Sequence, residues 1–202
     1  MNKKTRITLV RHGETIWNRE LRLQGSRDIP LSEVGLAQAE AVADRLLQEQ
    51  FHNIYSSHLQ RAHKTASTIA DRLQIPHHVH EDLRERHYGE LEGMTREEIL
   101  GRYPGFWEPG TDLSSVKRLE LPEELRERAY QAVREIAERH PGENVMIVSH
   151  GGTINAFLHR ISRGELGTGI SKLGNTSITR VVRDEDGSWQ IESIGCTKHL
   201  DK

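Results

Sequence analysis

Two short apolar runs, Ile7-Thr8-Leu9-Val10 and Val145-Met146-Ile147-Val148, are dense in β-branched residues and predict buried strands. Each leads into a histidine followed by glycine: Arg11-His12-Gly13 after the first, Ser149-His150-Gly151-Gly152 after the second. Between them the periodicity changes to that of helices. Leu36, Ala39, Ala43 and Leu46 fall at spacings of 3, 4 and 3, predicting a helix from about Glu33 to Gln50 with Ser32 as its N-cap. Asn53-Ile54-Tyr55-Ser56 reads as a short strand, followed by a helix with Ala62, Thr65, Ala66, Ile69, Ala70 and Leu73 along one stripe. Pro76 ends that helix, and His77 to His80 reads as a third strand.

From Glu81 to Pro122 glycines and prolines break the pattern, predicting a loop-rich, lid-like excursion with one short helix near Arg96–Leu100. A strong helix then begins at Pro122 and carries Leu125, Ala129, Ala132, Val133, Ile136 and Ala137 on its apolar face. Ser177–Arg183 and Trp189–Ile194 flank Asp184-Glu185-Asp186-Gly187 and read as a hairpin. Alternating strands and helices predict an α/β fold: a three-layer αβα sandwich whose mostly parallel sheet has an antiparallel edge, forming a single domain over 1–202.

Composition narrows the function classes. The 202 residues carry 28 Lys+Arg and 30 Asp+Glu, a formal charge of −2. That balance gives no reason to expect nucleic acid or an anionic membrane as partner. One cysteine, Cys196, excludes an intramolecular disulfide and a cysteine-held zinc. No apolar stretch approaches the roughly 18–20 residues of a membrane span, so a soluble cytoplasmic protein is expected, as a monomer or homodimer. His77, His78 and His80 are close enough in sequence to suggest a metal, but no further ligand is placed by spacing; no metal or cofactor is expected.

The repeated strand–His–Gly arrangement carries the chemistry. Ligands of open α/β sheets collect beyond the carboxyl ends of the strands, where both histidines fall. The glycine lets the backbone turn and approach a ligand, and helix N-termini starting near Thr15 and Thr153 would favour an anion. Arg11 adds a bidentate-capable cation. The candidate ligand is a phosphate or carboxylate.

Leu9-Val10-Arg11-His12-Gly13-Glu14-Thr15, with Trp17-Asn18, resembles the signature of the histidine phosphatase superfamily, the phosphoglycerate mutase-like proteins. Further segments resemble the family in order: Gln24-Gly25 with Asp28, Pro30-Leu31 and Gly35; Ser56-Ser57 with Leu59-Gln60-Arg61-Ala62; Leu83-Arg84-Glu85; Val148-Ser149-His150-Gly151-Gly152; and Asn175-Thr176-Ser177-Ile178. The resemblance implies His12 as a nucleophile that becomes phosphorylated, with Arg11, Arg61 and His150 around the phosphate. It implies Glu85 as general acid and base, and Asn18, Gln24, Gly25 and Gly151 as further phosphate contacts.

Within that family, a phosphatase of small phosphorylated metabolites is expected, with a cofactor-dependent mutase as the alternative and a non-catalytic phospholigand module as a remote one. Related mutases carry an extra segment between the acid loop and the last motif, whereas here 58 residues separate Glu85 from Asn144. Two departures point elsewhere. Glu85-Arg86-His87-Tyr88-Gly89 resembles the mutase acid loop, and Leu121–Leu125 stands where many family phosphatases carry Gly-Glu-Ser. Arg86, His87, Arg96, Lys117 and Arg118 are expected to supply a second anion site for a carboxylated substrate such as phosphoglycerate or phosphoserine.

Overall fold

The computed structural model describes residues 4–108 and 110–201. Six strands form one sheet in the order β3-β2-β4-β1-β5-β6. They are β1 (Thr5–Arg11), β2 (Asn53–Ser56), β3 (His77–Val79), β4 (Asn144–Ser149), β5 (Ile178–Arg183) and β6 (Trp189–Cys196). The first four in that order are mutually parallel, and β5 alone runs against them, so the expected antiparallel edge is the β5–β6 hairpin.

Side-chain alternation along the central strands sorts the core into two layers. Ile7, Leu9, Val145, Ile147 and Val181 point to one face, where they pack against helices α5 (Pro122–Arg139) and α6 (Gly151–Ile161). Val10, Ile54, Met146, Val148 and Ile178 point to the other, against α2 (Glu33–Leu46) and α3 (Gln60–Leu73). The two short helices are α1 (Ile16–Arg19) and α4 (Arg96–Arg102). Among the described residues no helix is long and apolar enough to cross a membrane.

Helix α2 stops at Leu46 rather than Gln50, and its buried face is Gly35, Ala39, Val42, Ala43 and Leu46. Leu36 is 42% exposed, because the first turn of α2 presses its backbone onto the Gly13-Glu14 loop. A Cβ at Gly35 would collide with the Glu14 carbonyl, and one at Gly13 with the Gly35 carbonyl. Gly13 therefore serves helix–loop packing, not the sharp turn expected from sequence. Residues 47–50 have no apolar stripe left to bury, so the helix ends.

The excursion has a small core of its own: Leu91, Ile99, Phe106 and Val116, with Leu23 and Tyr103 against it. Arg128 on α5 ties it to the main body. Its guanidinium pairs with Glu120 (Nε to Oε1, 2.7 Å; Nη2 to Oε2, 2.8 Å) and donates through Nη1 to the carbonyls of Asp82 and Arg84.

Candidate active site

β1 and β4 are neighbours in register, Val10 opposite Val148 and Arg11 opposite Ser149. His12 and His150 therefore emerge side by side at the carboxyl end of the sheet, ring centroids 5.2 Å apart. The two loops then diverge. His150 is the N-cap of α6, which starts at once, whereas His12 leads through Gly13-Glu14 to the four-residue α1, capped by a Thr15–Asn18 capping box.

The backbone at His12 is held from several directions. Its N–H donates to the Ser149 carbonyl (3.0 Å), and its own carbonyl accepts from Asn175 Nδ2 (3.0 Å). The next N–H, of Gly13, donates to Thr65 Oγ1 (3.1 Å), and that hydroxyl donates to the Arg61 carbonyl one turn earlier in α3. Thr176, in left-handed conformation (φ 54°), donates its N–H to the Arg11 carbonyl (2.9 Å).

The His12 ring has a fixed tautomer. Nδ1 lies 2.7 Å from the Gly13 carbonyl, which can only accept, so the proton sits on Nδ1 and the lone pair on Nε2. Burial, followed by the charges of Arg61 and Arg11, pushes the His12 pKa well below its ordinary value, keeping the ring neutral. The same causes, with His12 itself, hold His150 neutral, and neither ring nitrogen of His150 has a partner in the protein.

Two arginines close the site. Arg61 is fully buried in the first turn of α3 and donates to the carbonyls of Arg27 (Nη1, 2.7 Å) and Gly25 (Nη2, 2.8 Å). Burial pulls its pKa down to about 10, still charged at neutral pH. Arg11 donates to the Leu173 carbonyl (2.6 Å). Among the described residues neither forms a salt bridge, and Nε of each is buried without a partner. Glu85 acts on both cations only from a distance, with Asp28 and Glu92 on Arg61, so the pair keeps the capacity to receive an anion at close range.

Glu85 reaches the same place from the excursion. Its Oε2 accepts the Gly152 N–H (2.9 Å), and its Oε1 accepts those of Thr153 (3.1 Å) and Arg86 (2.8 Å). A carboxylate from a distant loop thus caps α6, whose own N-cap, His150, offers no side-chain bond. The absence of a Cβ at Gly152 makes this possible, whereas one at Gly151 would meet nothing closer than 3.5 Å.

The other expected contacts have mixed outcomes. Asn18 Oδ1 accepts from Thr15 and Asn175, leaving its NH2 as the group available to a ligand. Gln24 is buried with Oε1 unpartnered, while the Gly25 carbonyl is taken by Arg61. The Gly151 N–H lies at the first position of α6, outside the Glu85 pairing.

The expected second anion site does not assemble. Arg86 faces a cavity of about 820 Å³ that Phe106, Trp107, Leu121, Gly152 and Asn155 also line. His87, Lys117 and Arg118 line a separate one, and Arg96 stacks on Trp107 at 4.7 Å. The adjacent residues Arg86 and His87 line different cavities, which sequence proximity conceals. Nor do the three histidines converge: His77 pairs with Ser56, His78 with Asn53 and His80 with Asp82. Among the described residues no cluster of three or more potential metal ligands exists.

Glu92 has no signal in the sequence. Only 3% of its side chain is exposed, and it accepts from the Ser26 N–H and hydroxyl and the Tyr88 N–H beneath the loop that Arg61 binds. Asn175, Thr65 and Thr153 lie in segments the sequence marks, but their bonding to Arg84 and to the backbone around His12, like that of Arg128 to the Asp82 and Arg84 carbonyls, carries no local signal. These contacts span 40 or more residues of chain, which no local pattern records.

The model of the histidine phosphatase superfamily (branch 1) matches residues 7–197, spanning nearly the whole sheet and every residue just described. The chain belongs to the histidine phosphatase superfamily. Among the histidine phosphatases it is similar to a metal-independent phosphoserine phosphatase of Arabidopsis thaliana, 39% identical over 97% of this chain and 83% of that protein. The Bacillus stearothermophilus YhfR structure superposes with a TM-score of 0.89 at 34% identity, covering 98% of this chain and all of the other. A phosphoserine phosphatase from Entamoeba histolytica, in complex with 3-phosphoglyceric acid, gives 0.83 at 30% identity, covering 97% and 99%.

Proposed function

We propose that this histidine phosphatase hydrolyses small phosphomonoesters through a phosphohistidine formed on His12, without a metal. The observation that carries this reading is a neutral His12, its Nε2 lone pair free, beside Arg11 and Arg61, two cations that no carboxylate contacts directly. Nε2 attacks phosphorus, and the P–O bond to the leaving group breaks. Arg11, Arg61 and His150 stabilise the equatorial oxygens of the transferring phosphoryl group. Glu85 gives a proton to the departing oxygen and then takes one from the water that releases phosphate. A three-carbon phosphate bearing a carboxylate, such as phosphoserine or phosphoglycerate, is the proposed substrate class. Arg86 beside Glu85 supports it, as do the similar proteins named above.

Phosphorus NMR of the purified protein with 3-phosphoglycerate and no added metal tests the reading, with His12→Ala alongside. Inorganic phosphate without 2-phosphoglycerate, released only by the intact protein, is expected. Interconversion of the two phosphoglycerates would make it a mutase.

A further inference from the structure

The peptide joining His12 to Gly13 is pinned at both ends. Its N–H, on Gly13, donates to Thr65 Oγ1 (3.1 Å). Its carbonyl, on His12, accepts from Asn175 Nδ2 (3.0 Å) and from the Thr176 N–H (3.3 Å), which also reaches the Arg11 carbonyl (2.9 Å). Asn175 and Thr176 are the middle residues of one β-turn, Gly174 to Ser177, closed by the Ser177 N–H on the Gly174 carbonyl (3.1 Å).

Thr176, the third residue of that turn, has φ 54°. A left-handed third position favours glycine or asparagine, and a β-branched side chain there is strained. Such strain persists only where the surroundings hold it. Thr176 is wholly buried, and among the described residues its hydroxyl has one hydrogen-bond partner, His199, whose Nε2 lies 3.1 Å from Oγ1. His199 stands on the 3₁₀ turn Lys198–Leu200 beyond β6, which packs against α2. Its other ring nitrogen, Nδ1, is buried without a partner. The ring takes no part in the chemistry described above, yet its one side-chain hydrogen bond goes to the residue that holds the nucleophile's backbone.

We propose that His199 is a positioning residue for the reaction at His12, acting through Thr176. It braces a turn that would otherwise relax, and so fixes the plane of the His12–Gly13 peptide. The next carbonyl along, that of Gly13, lies 2.7 Å from His12 Nδ1 and directs the Nε2 lone pair. Without His199 the turn loosens, that contact lengthens, and fewer molecules present Nε2 in line with phosphorus. Phosphate affinity changes little, because the Arg11 and Arg61 side chains each have their own carbonyl anchors. The assignment deepens the phosphatase reading and rests on it.

Steady-state kinetics on p-nitrophenyl phosphate test this, with kcat referred to sites counted by orthovanadate titration. His199→Leu should lower kcat about 10-fold with KM within about 2-fold, the split expected when orientation is lost and binding kept. His199→Gln, whose amide can donate or accept at the same reach, should restore most of kcat. Thr176→Val, which lacks only the hydroxyl, should reproduce the His199→Leu split and replaces that variant if it does not fold. Glycine needs no brace at this φ, so in a Thr176→Gly background His199→Leu should change kcat less than about 2-fold. An unchanged kcat in His199→Leu and Thr176→Val, no rescue by glutamine, or equal falls in both backgrounds would overturn the assignment. If the wild-type protein releases no phosphate from any ester, the phosphatase reading fails instead. Nitrogen-15 NMR of histidine-labelled protein then still decides the positioning. The wild type should show His12 protonated at Nδ1, and His199→Leu should shift or broaden that signal while His199→Gln leaves it in place. The same signal in all three would overturn the role of His199.

Discussion

The carboxylate of Glu85 and the backbone of Gly152, 67 positions apart in sequence, form one unit: Oε2 accepts the Gly152 N–H at 2.9 Å, and Oε1 occupies the space a Cβ would need. The carboxylate proposed as general acid is thus located by a missing side chain on another element. Gly152→Ala must displace Glu85, and should mimic Glu85→Gln. Both variants should lose far more activity on phosphoserine, whose alkoxide needs a proton, than on p-nitrophenyl phosphate, whose phenolate does not. General acid catalysis contributes about 10²–10⁴-fold, and that range is the expected gap between the two substrates. Equal losses on both would remove Glu85 from the acid role.

Buried neutral histidines make stability depend on pH with a definite sign. His12 and His150 have folded pKa values well below 6.5 because burial and nearby arginines oppose their charging. Above pH 6.5 both folded and unfolded chains hold them neutral, and the full stability is present. As pH falls below 6.5 the unfolded chain binds protons that the folded one refuses, so stability is lost, by about 1.4 kcal/mol per histidine between pH 7.5 and 5.5. His77, brought down to about 4 mainly by burial, acts in the same direction. Urea unfolding at the two pH values should show the loss, and His150→Gln should reduce it by one histidine's share.

Anion binding should repay the burial of Arg11 and Arg61. Orthovanadate at 100 times its Kd contributes about 2.7 kcal/mol to a site that exists only in the folded state. For a chain of this size that is a rise in Tm of about 5–10 °C. Thermal scans of Arg61→Met should show no such rise. A rise that survives the substitution would place the anion elsewhere.

Arg128 and Glu120 are each about 10% exposed and form a bidentate pair beneath the Glu85 loop. Burial would raise the Glu120 pKa, but the Arg128 hydrogen bonds and charge hold it below the usual carboxylate range. Arg128→Ala should cost about 1–3 kcal/mol of stability, because Glu120 loses its bidentate partner and keeps only the His87 N–H (3.1 Å) and Arg84 at 4.0 Å. Replacing both partners, Arg128→Leu with Glu120→Gln, should cost less than Arg128→Ala. Chemical denaturation of the variants checks the order.

His12 and His150 were legible in the sequence because each continues an apolar strand, and neighbouring parallel strands end at the same rim. The helical stripes at 60–73 and 122–139 were legible for a similar reason, since their period states which face is buried. Arg61 and Glu85 had only the family resemblance to separate them from surface charges. The supporting contacts of Thr65, Glu92, Arg128, Thr153 and Asn175 are tertiary hydrogen bonds, and neither the stripe that contains Thr65 nor the family-like segment that contains Asn175 says what either residue bonds. Arg86 and the group His87, Lys117 and Arg118 line two different cavities, a separation that nearness in sequence does not reveal.

Every group assigned to phosphoryl transfer precedes Gly152, yet Asn175 and Thr176 grip the carbonyls of His12 and Arg11, and β5 flanks β1 along its length. During synthesis the nascent chain therefore carries every group proposed for the chemistry for about twenty residues before the carbonyls of Arg11 and His12 gain their partners. Activity should switch on only when the closing hairpin docks, so a polypeptide released early would be inert despite lacking none of its reactive side chains.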